Sequence, residues 1–204
     1  MERFNVTRNV GGIEGLCVIT PNLNRNNCSC FTETYNQKDM EAKGLDMVFV
    51  QENQSCSRKG VLRGMHLQIR YPQGKLVRVI NGSVFDVAVD LRKDSKSFGK
   101  WYGIELNKDN KRQFYIPEGF AHGFLVTSEI AELCFKVTNY YYPEYEQGFA
   151  WNDPEIKIVW PGIRGIYKGT AASDGYYVNE EKLILAERDQ NLNLLSLSKI
   201  KDGI

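Results

Sequence analysis

The chain has 204 residues, with 26 basic side chains against 25 acidic ones, so no basic surface argues for nucleic acid or for an anionic membrane. Its length suits one domain spanning residues 1–204, and Met1-Glu2-Arg3-Phe4 opens no apolar leader or membrane span, so a soluble, cytoplasmic protein is expected. The cysteines (Cys17, Cys28, Cys30, Cys56 and Cys134) contain no Cys-x-x-Cys pair, which argues against a disulfide framework or zinc ribbon and leaves them as free thiols.

In chain order, Leu16–Thr20 and Cys30–Tyr35 flank Pro21 and an Asn-rich turn, and predict an N-terminal hairpin. Gln37–Lys43 predicts one short surface helix before Gly44, and Met47–Gln51 a further strand. The centre of the chain is Gly60–Leu91, GVLRGMHLQIRYPQGKLVRVINGSVFDVAVDL. Here Val77–Ile80 and Ser83–Leu91 flank Asn81-Gly82, the signature of a two-residue hairpin. Such a hairpin sets Ile80 against Ser83, Val79 against Val84, Val77 against Asp86 and Lys75 against Ala88. Lys75, Val77, Val79, Val84, Asp86 and Ala88 then share one face, and Leu76, Arg78, Phe85, Val87 and Val89 the other.

Further strands are predicted at Trp101–Leu106, Gln113–Ile116, Phe120–Thr127 and Glu132–Tyr142. The turns between them fall at Lys93–Lys100, Lys108–Lys111, Pro117-Glu118-Gly119 and Ser128–Ile130. Gly162–Asn179 carries repeated glycines and tyrosines and reads as an excursion, with residues 162–182 having the character of an insertion. Glu180–Asp189 predicts a strand leading into a short turn, and Ser196–Ile204 a tail. Short strands, regularly spaced turns and few helical stretches predict an all-β antiparallel sandwich or barrel with a few short peripheral helices.

Lys75 and Asp86 on an apolar face need either each other, as an edge-strand salt bridge in solvent, or a pocket. His66, just upstream, favours the pocket. Arg63, His66, Lys75 and Asp86 converge if the Ile69–Gly74 loop returns the chain to the same sheet. A neutral histidine suits proton removal near neutral pH, a lysine can stabilise a developing oxyanion, and Arg63 offers a planar donor for phosphate or carboxylate. These groups suit proton abstraction beside a carbonyl. No Gly-x-Ser-x-Gly elbow supports acyl transfer, no His-x-His pair or His-Glu-x-x-His helix supports a metal, and no Gly-x-Gly-x-x-Gly supports a nicotinamide cofactor. His122, between Ala121 and Gly123, suits either a core position or one that orients pocket groups.

Taken together, GVLRGMHLQ, QGKLVRV, GSVFDVAVDLR, FGKW, IPEGFAHGFLV, the WNDP of Trp151–Pro154 and the late LAERD resemble the dTDP-4-dehydrorhamnose 3,5-epimerases, from about Ile13 to Asp189. The resemblance implies a cupin-type jelly roll, a homodimer with an exchanged N-terminal strand, and no metal or nucleotide cofactor. It implies conversion of dTDP-4-dehydro-6-deoxy-D-glucose to dTDP-4-dehydro-L-rhamnose through an enolate, within deoxysugar and polysaccharide biosynthesis. By the same resemblance, His66 removes the protons at C3 and C5, Asp189 pairs with it, and Lys75 lies near the enolate oxygen. Arg63 binds sugar or phosphate, and Gln51, Asn53 and Arg188 line the pocket; His122 and Asp86 join the substrate-binding set from the reading of the residues themselves, not from the resemblance. Tyr141 lies near the nucleobase, while Phe31 and Glu33 are offered to the partner subunit.

The chain departs from the family at two places. The family's acid tyrosine is Phe135 here, and losing a positioned acid costs about 10²- to 10⁴-fold in rate. Inversion at C3 alone and a non-catalytic nucleotide-sugar-binding cupin are therefore the alternatives. Cys28-Ser29 stands where the family has Arg-Gly, which removes a cation facing the nucleotide. A 3,4-ketoisomerase is a further reading, but those enzymes favour a His-x-His pattern where this chain has Met65-His66-Leu67-Gln68.

Overall fold

A computed structural model of the chain describes residues 3–25, 30–163, 177–178 and 181–195. Strands β1 (Phe4–Arg8), β2 (Cys17–Pro21), β3 (Asn24–Arg25) and β4 (Cys30–Phe31) precede helix α1 (Gln37–Ala42). The body consists of β5 (Gln51–Arg58), β6 (Val61–Gln68), β7 (Lys75–Asn81), β8 (Ser83–Asp90), β9 (Trp101–Asn107), β10 (Gln113–Ile116), β11 (Phe120–Val126) and β12 (Ile130–Val137). After these come β13 (Glu146–Gly148), β14 (Tyr177–Val178), β15 (Glu181–Lys182), β16 (Ile184–Leu185) and helix α2 (Glu187–Gln190).

Two sheets face each other as a jelly roll, the first in the order β1-β2-β10-β7-β12-β5 and the second β13-β6-β11-β8-β9. Pairing along both is antiparallel, and β16 adds to β6 as a short parallel ladder. Between the sheets lies a core of Val77, Val79, Phe114 and Leu133 from the first against Val84, Ala88, Ile104, Phe124 and Val126 from the second. The outer face of the second sheet is also covered, with Leu62, Val87, Val89 and Leu125 packed under Trp151, Ile158 and Trp160. Outside the first sheet, Cys17, Ile19 and Leu76 pack with Met40 of α1, Leu45 and Met47. Strands covered on both faces carry unbroken apolar runs rather than alternation, and β11 is buried along its whole length.

Asn81-Gly82 corrects the hairpin expectation. The chain leaves the first sheet along β7 and enters the second along β8, so Val77 pairs with Phe135 and Lys75 with Val137, while Asp86 pairs with Phe124 and Ile104. Ser83 turns its N–H to Ser128 Oγ at 2.8 Å, and the Gly82 carbonyl accepts from Lys108 N at 3.0 Å. With apolar side chains on both faces, the two runs bury more surface on opposite walls than as neighbours in one sheet. Gly82 makes the corner, since its φ of 75° suits glycine and a Cβ there would collide with the Ile130 carbonyl. The face assignment holds even so, because Val77, Val79, Val84 and Ala88 meet in one core from opposite sides.

Other boundaries also differ. β2 pairs with β1 and β10 rather than with Cys30–Tyr35, of which only Cys30–Phe31 is strand, paired to β3. The expected strand at Met47–Gln51 instead starts at Gln51, where a polar sequence with alternating half-burial hides it. β12 stops at Val137, short of Tyr142, and includes Ile130. The segment Glu180–Asp189 is split between β15, β16 and α2. Cys28-Ser29, most of the 162–182 excursion and the 196–204 tail lie outside the described residues.

Candidate active site

Neighbouring strands of the second sheet bring the two histidines together. His66 of β6 is the Cα partner of His122 of β11, and the register shifts just beyond them. The shift is made of glycine. A Cβ on Gly123 would come within 2.6 Å of the Arg63 carbonyl, so a side chain there would force the strands apart.

Each histidine has its own carboxylate. His66 Nε2 lies 2.6 Å from Asp189 Oδ1, and Asp189 is buried in α2, which the β16–β6 ladder carries to this edge. His122 Nε2 lies 3.0 and 3.1 Å from the two oxygens of Asp86, which is fully buried in β8. A carboxylate on one ring nitrogen fixes the tautomer and stabilises the protonated ring. Asp189 Oδ2 is buried with no hydrogen-bond partner among the described residues.

The histidines open onto a cavity of about 350 Å³. Its other wall is the first sheet, which contributes Gln51, Asn53 and Ser55 from β5, Lys75 from β7 and Phe135 from β12. Arg63 lines it beside His66, and Tyr141, Glu146 and Arg188 close one end. Burial pushes the Lys75 ammonium down to about 8, against the opposing pull of Glu146 and Asp86 and with a further push from Arg188. Glu146 Oε2 accepts from the Tyr141 hydroxyl at 2.9 Å and pairs with Arg188 Nη1 at 2.8 Å. The Tyr141 phenol is held above its ordinary value by burial and then by Glu146. Gln51 accepts from the Tyr141 backbone N–H at 3.1 Å and donates to Asn53 Oδ1 at 2.8 Å.

The residues singled out in the sequence thus meet, by a different route from the one expected. The loop after β6 carries the chain to the opposite sheet, so Lys75 faces His66 across the interior. Asp86 forms no salt bridge with Lys75; it sits behind His122. Phe31, 72% exposed, and Glu33, bonded to Asn36 Nδ2 and Arg3, do not line the cavity. Glu146 escaped sequence reading because nothing in Pro143-Glu144-Tyr145-Glu146 sets it apart. Gln54, Ser55 and Gln73 were missed as well, and the alternation of β5, which puts Ser55 on the face of Gln51 and Asn53, was the signal for Ser55 alone. Among the described residues no three His, Cys, Asp or Glu side chains cluster to hold a metal. Arg63, Lys75 and Arg188 would instead meet an anionic ligand.

A sequence model described as dTDP-4-dehydrorhamnose 3,5-epimerase matches residues 11–196. The chain is 51% identical over 156 residues to the Escherichia coli protein of that name, covering 76% of this chain and 84% of that one. It is 50% identical over 149 residues to the Methanothermobacter thermautotrophicus protein of the same name, covering 73% and 80%. The dTDP-6-deoxy-D-glucose-3,5-epimerase of Legionella pneumophila, solved in complex with dTDP-4-keto-L-rhamnose, superposes with a TM-score of 0.82 at 40% identity, covering 96% of this chain and 93% of that one.

Proposed function

The chain belongs to the dTDP-4-dehydrorhamnose 3,5-epimerase family, and from that premise we propose that it epimerises dTDP-4-dehydro-6-deoxy-D-glucose to dTDP-4-dehydro-L-rhamnose, in deoxysugar biosynthesis. The observation that carries this reading is the His66–Asp189 pair at 2.6 Å facing Lys75 across one cavity. With Nε2–H given to Asp189, His66 Nδ1 holds the lone pair that removes a proton from carbon beside the C4 carbonyl. Asp189 stabilises the imidazolium that forms, and Lys75 stabilises the enolate oxygen from a partly dry wall. Arg63 and Arg188 are the planar cations for a diphosphate, with Gln51 and Asn53 as neutral donors and Tyr141 as the aromatic face for the base. His122, held by Asp86, orients the neighbouring imidazole and closes the floor.

The partner in this reading is a second copy of the chain. Exposure of Phe31 outside its own cavity supports a role for it at the neighbour's site, with Glu33 beside it in sequence.

Incubation with dTDP-4-keto-6-deoxyglucose, followed by NMR of the product, tests the assignment. The C3 and C5 configurations should both be inverted by the native protein, and His66→Asn should give no product. Unchanged substrate with the native protein would refute the assignment. A second reading, inversion at C3 alone, rests on Phe135, which presents a phenyl ring to the cavity.

A further inference from the structure

Inverting a carbon through a planar enolate requires that the proton return from the face opposite the base. His66 stands on the second sheet, so the donor must belong to the first sheet or to the segment after β12. Phe135, at the middle of that wall, has no proton to give. Gln51 and Asn53 present carboxamides and Ser55 a hydroxyl, none of them acidic enough to deliver a proton near neutral pH. Among the described residues on that side, Glu146 and Arg188 are ion-paired with each other at 2.8 Å, the carboxylate there as an acceptor and the guanidinium one that does not give up its proton, which leaves Lys75 and Tyr141 as ionisable donors.

Tyr141 is a poor candidate, since its hydroxyl is committed to Glu146 at 2.9 Å and it is 44% exposed at the cavity's end. Lys75 is placed well. Val77 opposes Phe135 and Lys75 opposes Val137, so Lys75 and Phe135 are diagonal neighbours on one face, roughly 7–8 Å apart at the backbone. A four-carbon stem spans a gap of that length, and Lys75 and Phe135 both line the cavity. Its nitrogen makes no hydrogen bond or ion pair among the described residues.

We propose that Lys75 is the general acid of this enzyme, delivering the inverting proton in addition to stabilising the enolate. The inference rests on the epimerase reading and extends it. His66 takes a proton from one face of carbon, leaving an enolate and an imidazolium. The Lys75 N–H bond breaks as a C–H bond forms on the other face, leaving a neutral amine, and the imidazolium and amine then re-equilibrate with solvent. The groups facing Lys75 set its working range. Glu146 from β13 and Asp86 from β8 favour its charge, whereas Arg188 from α2 opposes it. Arg63, His66 and His122 of the second sheet share the cavity. Only the ammonium can donate, so inversion should decline as pH rises through about 8.

The test is to measure deuterium entry and inversion separately, in deuterated water with dTDP-4-keto-6-deoxyglucose, for the native protein, Lys75→Arg and the double variant Lys75→Arg with Phe135→Tyr. Arginine keeps the charge but does not give up its proton. Lys75→Arg should lose about 100-fold or more in inversion while deuterium entry, which needs His66 and a cation beside the enolate oxygen but no acid on the other face, falls less than about tenfold. Adding Phe135→Tyr, which places a phenol on the same wall, should restore inversion to within about tenfold of native, with its alkaline limb moved towards about 10. Near-native inversion by Lys75→Arg would overturn the assignment, as would parallel loss of exchange and inversion without rescue. Exchange without inversion in the native protein would overturn the lysine alone. No exchange in the native protein would remove the epimerase reading and the lysine with it.

Discussion

Asp189 and Asp90 are equally buried aspartates with opposite hydrogen-bond environments. Among the described residues Asp189 has His66 on one oxygen and no hydrogen-bond partner on the other, so its charge is best stabilised when the imidazole is protonated. Asp189→Asn should therefore lower kcat by about 10²- to 10³-fold with little change in KM, since the carboxylate sits behind the histidine. Thermal stability should hold or rise, because a buried, half-satisfied charge is removed; steady-state kinetics and a thermal melt on one preparation check both. Asp90 accepts from Arg92 N, Nε and Nη2 and from Ser95 and Ser97. Burial alone would raise its pKa, yet these hydrogen bonds together hold it below the ordinary carboxylate value. A depressed folded-state pKa gives stability that is present above about pH 4 and is lost as pH falls through the folded value. Asp90→Ala should cost roughly 3 kcal/mol or more at pH 7, and denaturant titrations should find that difference shrinking below pH 4.

At the scale of elements, the contact of β6 with β11 sets the site. Glycine lets these strands approach, and a methyl on Gly123 would press on the Arg63 carbonyl and the Met65 sulfur, each 2.6 Å away. Gly123→Ala should separate His66 from His122 and lower kcat/KM by about 10²-fold, as a misplacement of about 1 Å does, with a smaller relative loss of stability; turnover compared with urea unfolding distinguishes the two. The strands that carry this chemistry were legible as strands, since β7 to β12 are rich in β-branched and aromatic residues bounded by turn residues. Which sheet each joins was not, because Asn81-Gly82 suits a hairpin and a corner equally well, and only apolar surface on both faces of β7 and β8 argues for the corner. Residues set apart by type, such as His66 and Lys75, could be picked out before folding. Glu146 gains its meaning only from the side chains that folding brings to it, and the polar β5 yields Ser55 only once its neighbour β12 is known. Asp189, so far along the chain from His66, was found through the family resemblance rather than through spacing.

For the whole molecule, the cavity is walled by both sheets and capped by α2, so the site depends on the closed jelly roll. The proposed dimer completes it. Sedimentation equilibrium should give twice the chain mass, and Phe31→Ala should weaken substrate binding while leaving the fold intact. Mixing and re-associating inactive His66→Asn with Phe31→Ala should recover activity above that of either alone, because one site of the hybrid then holds both native residues; no recovery would mean that each site is built by one chain.

The measurement that bears most directly on the proposed chemistry is proton NMR in deuterated water of dTDP-4-keto-6-deoxyglucose, following the C3 and C5 protons separately with native protein and with His66→Asn. Deuterium should enter with the native protein and stay at background with His66→Asn. Native protein that leaves both positions protonated, or a His66→Asn variant that exchanges them as fast, would contradict proton abstraction by His66.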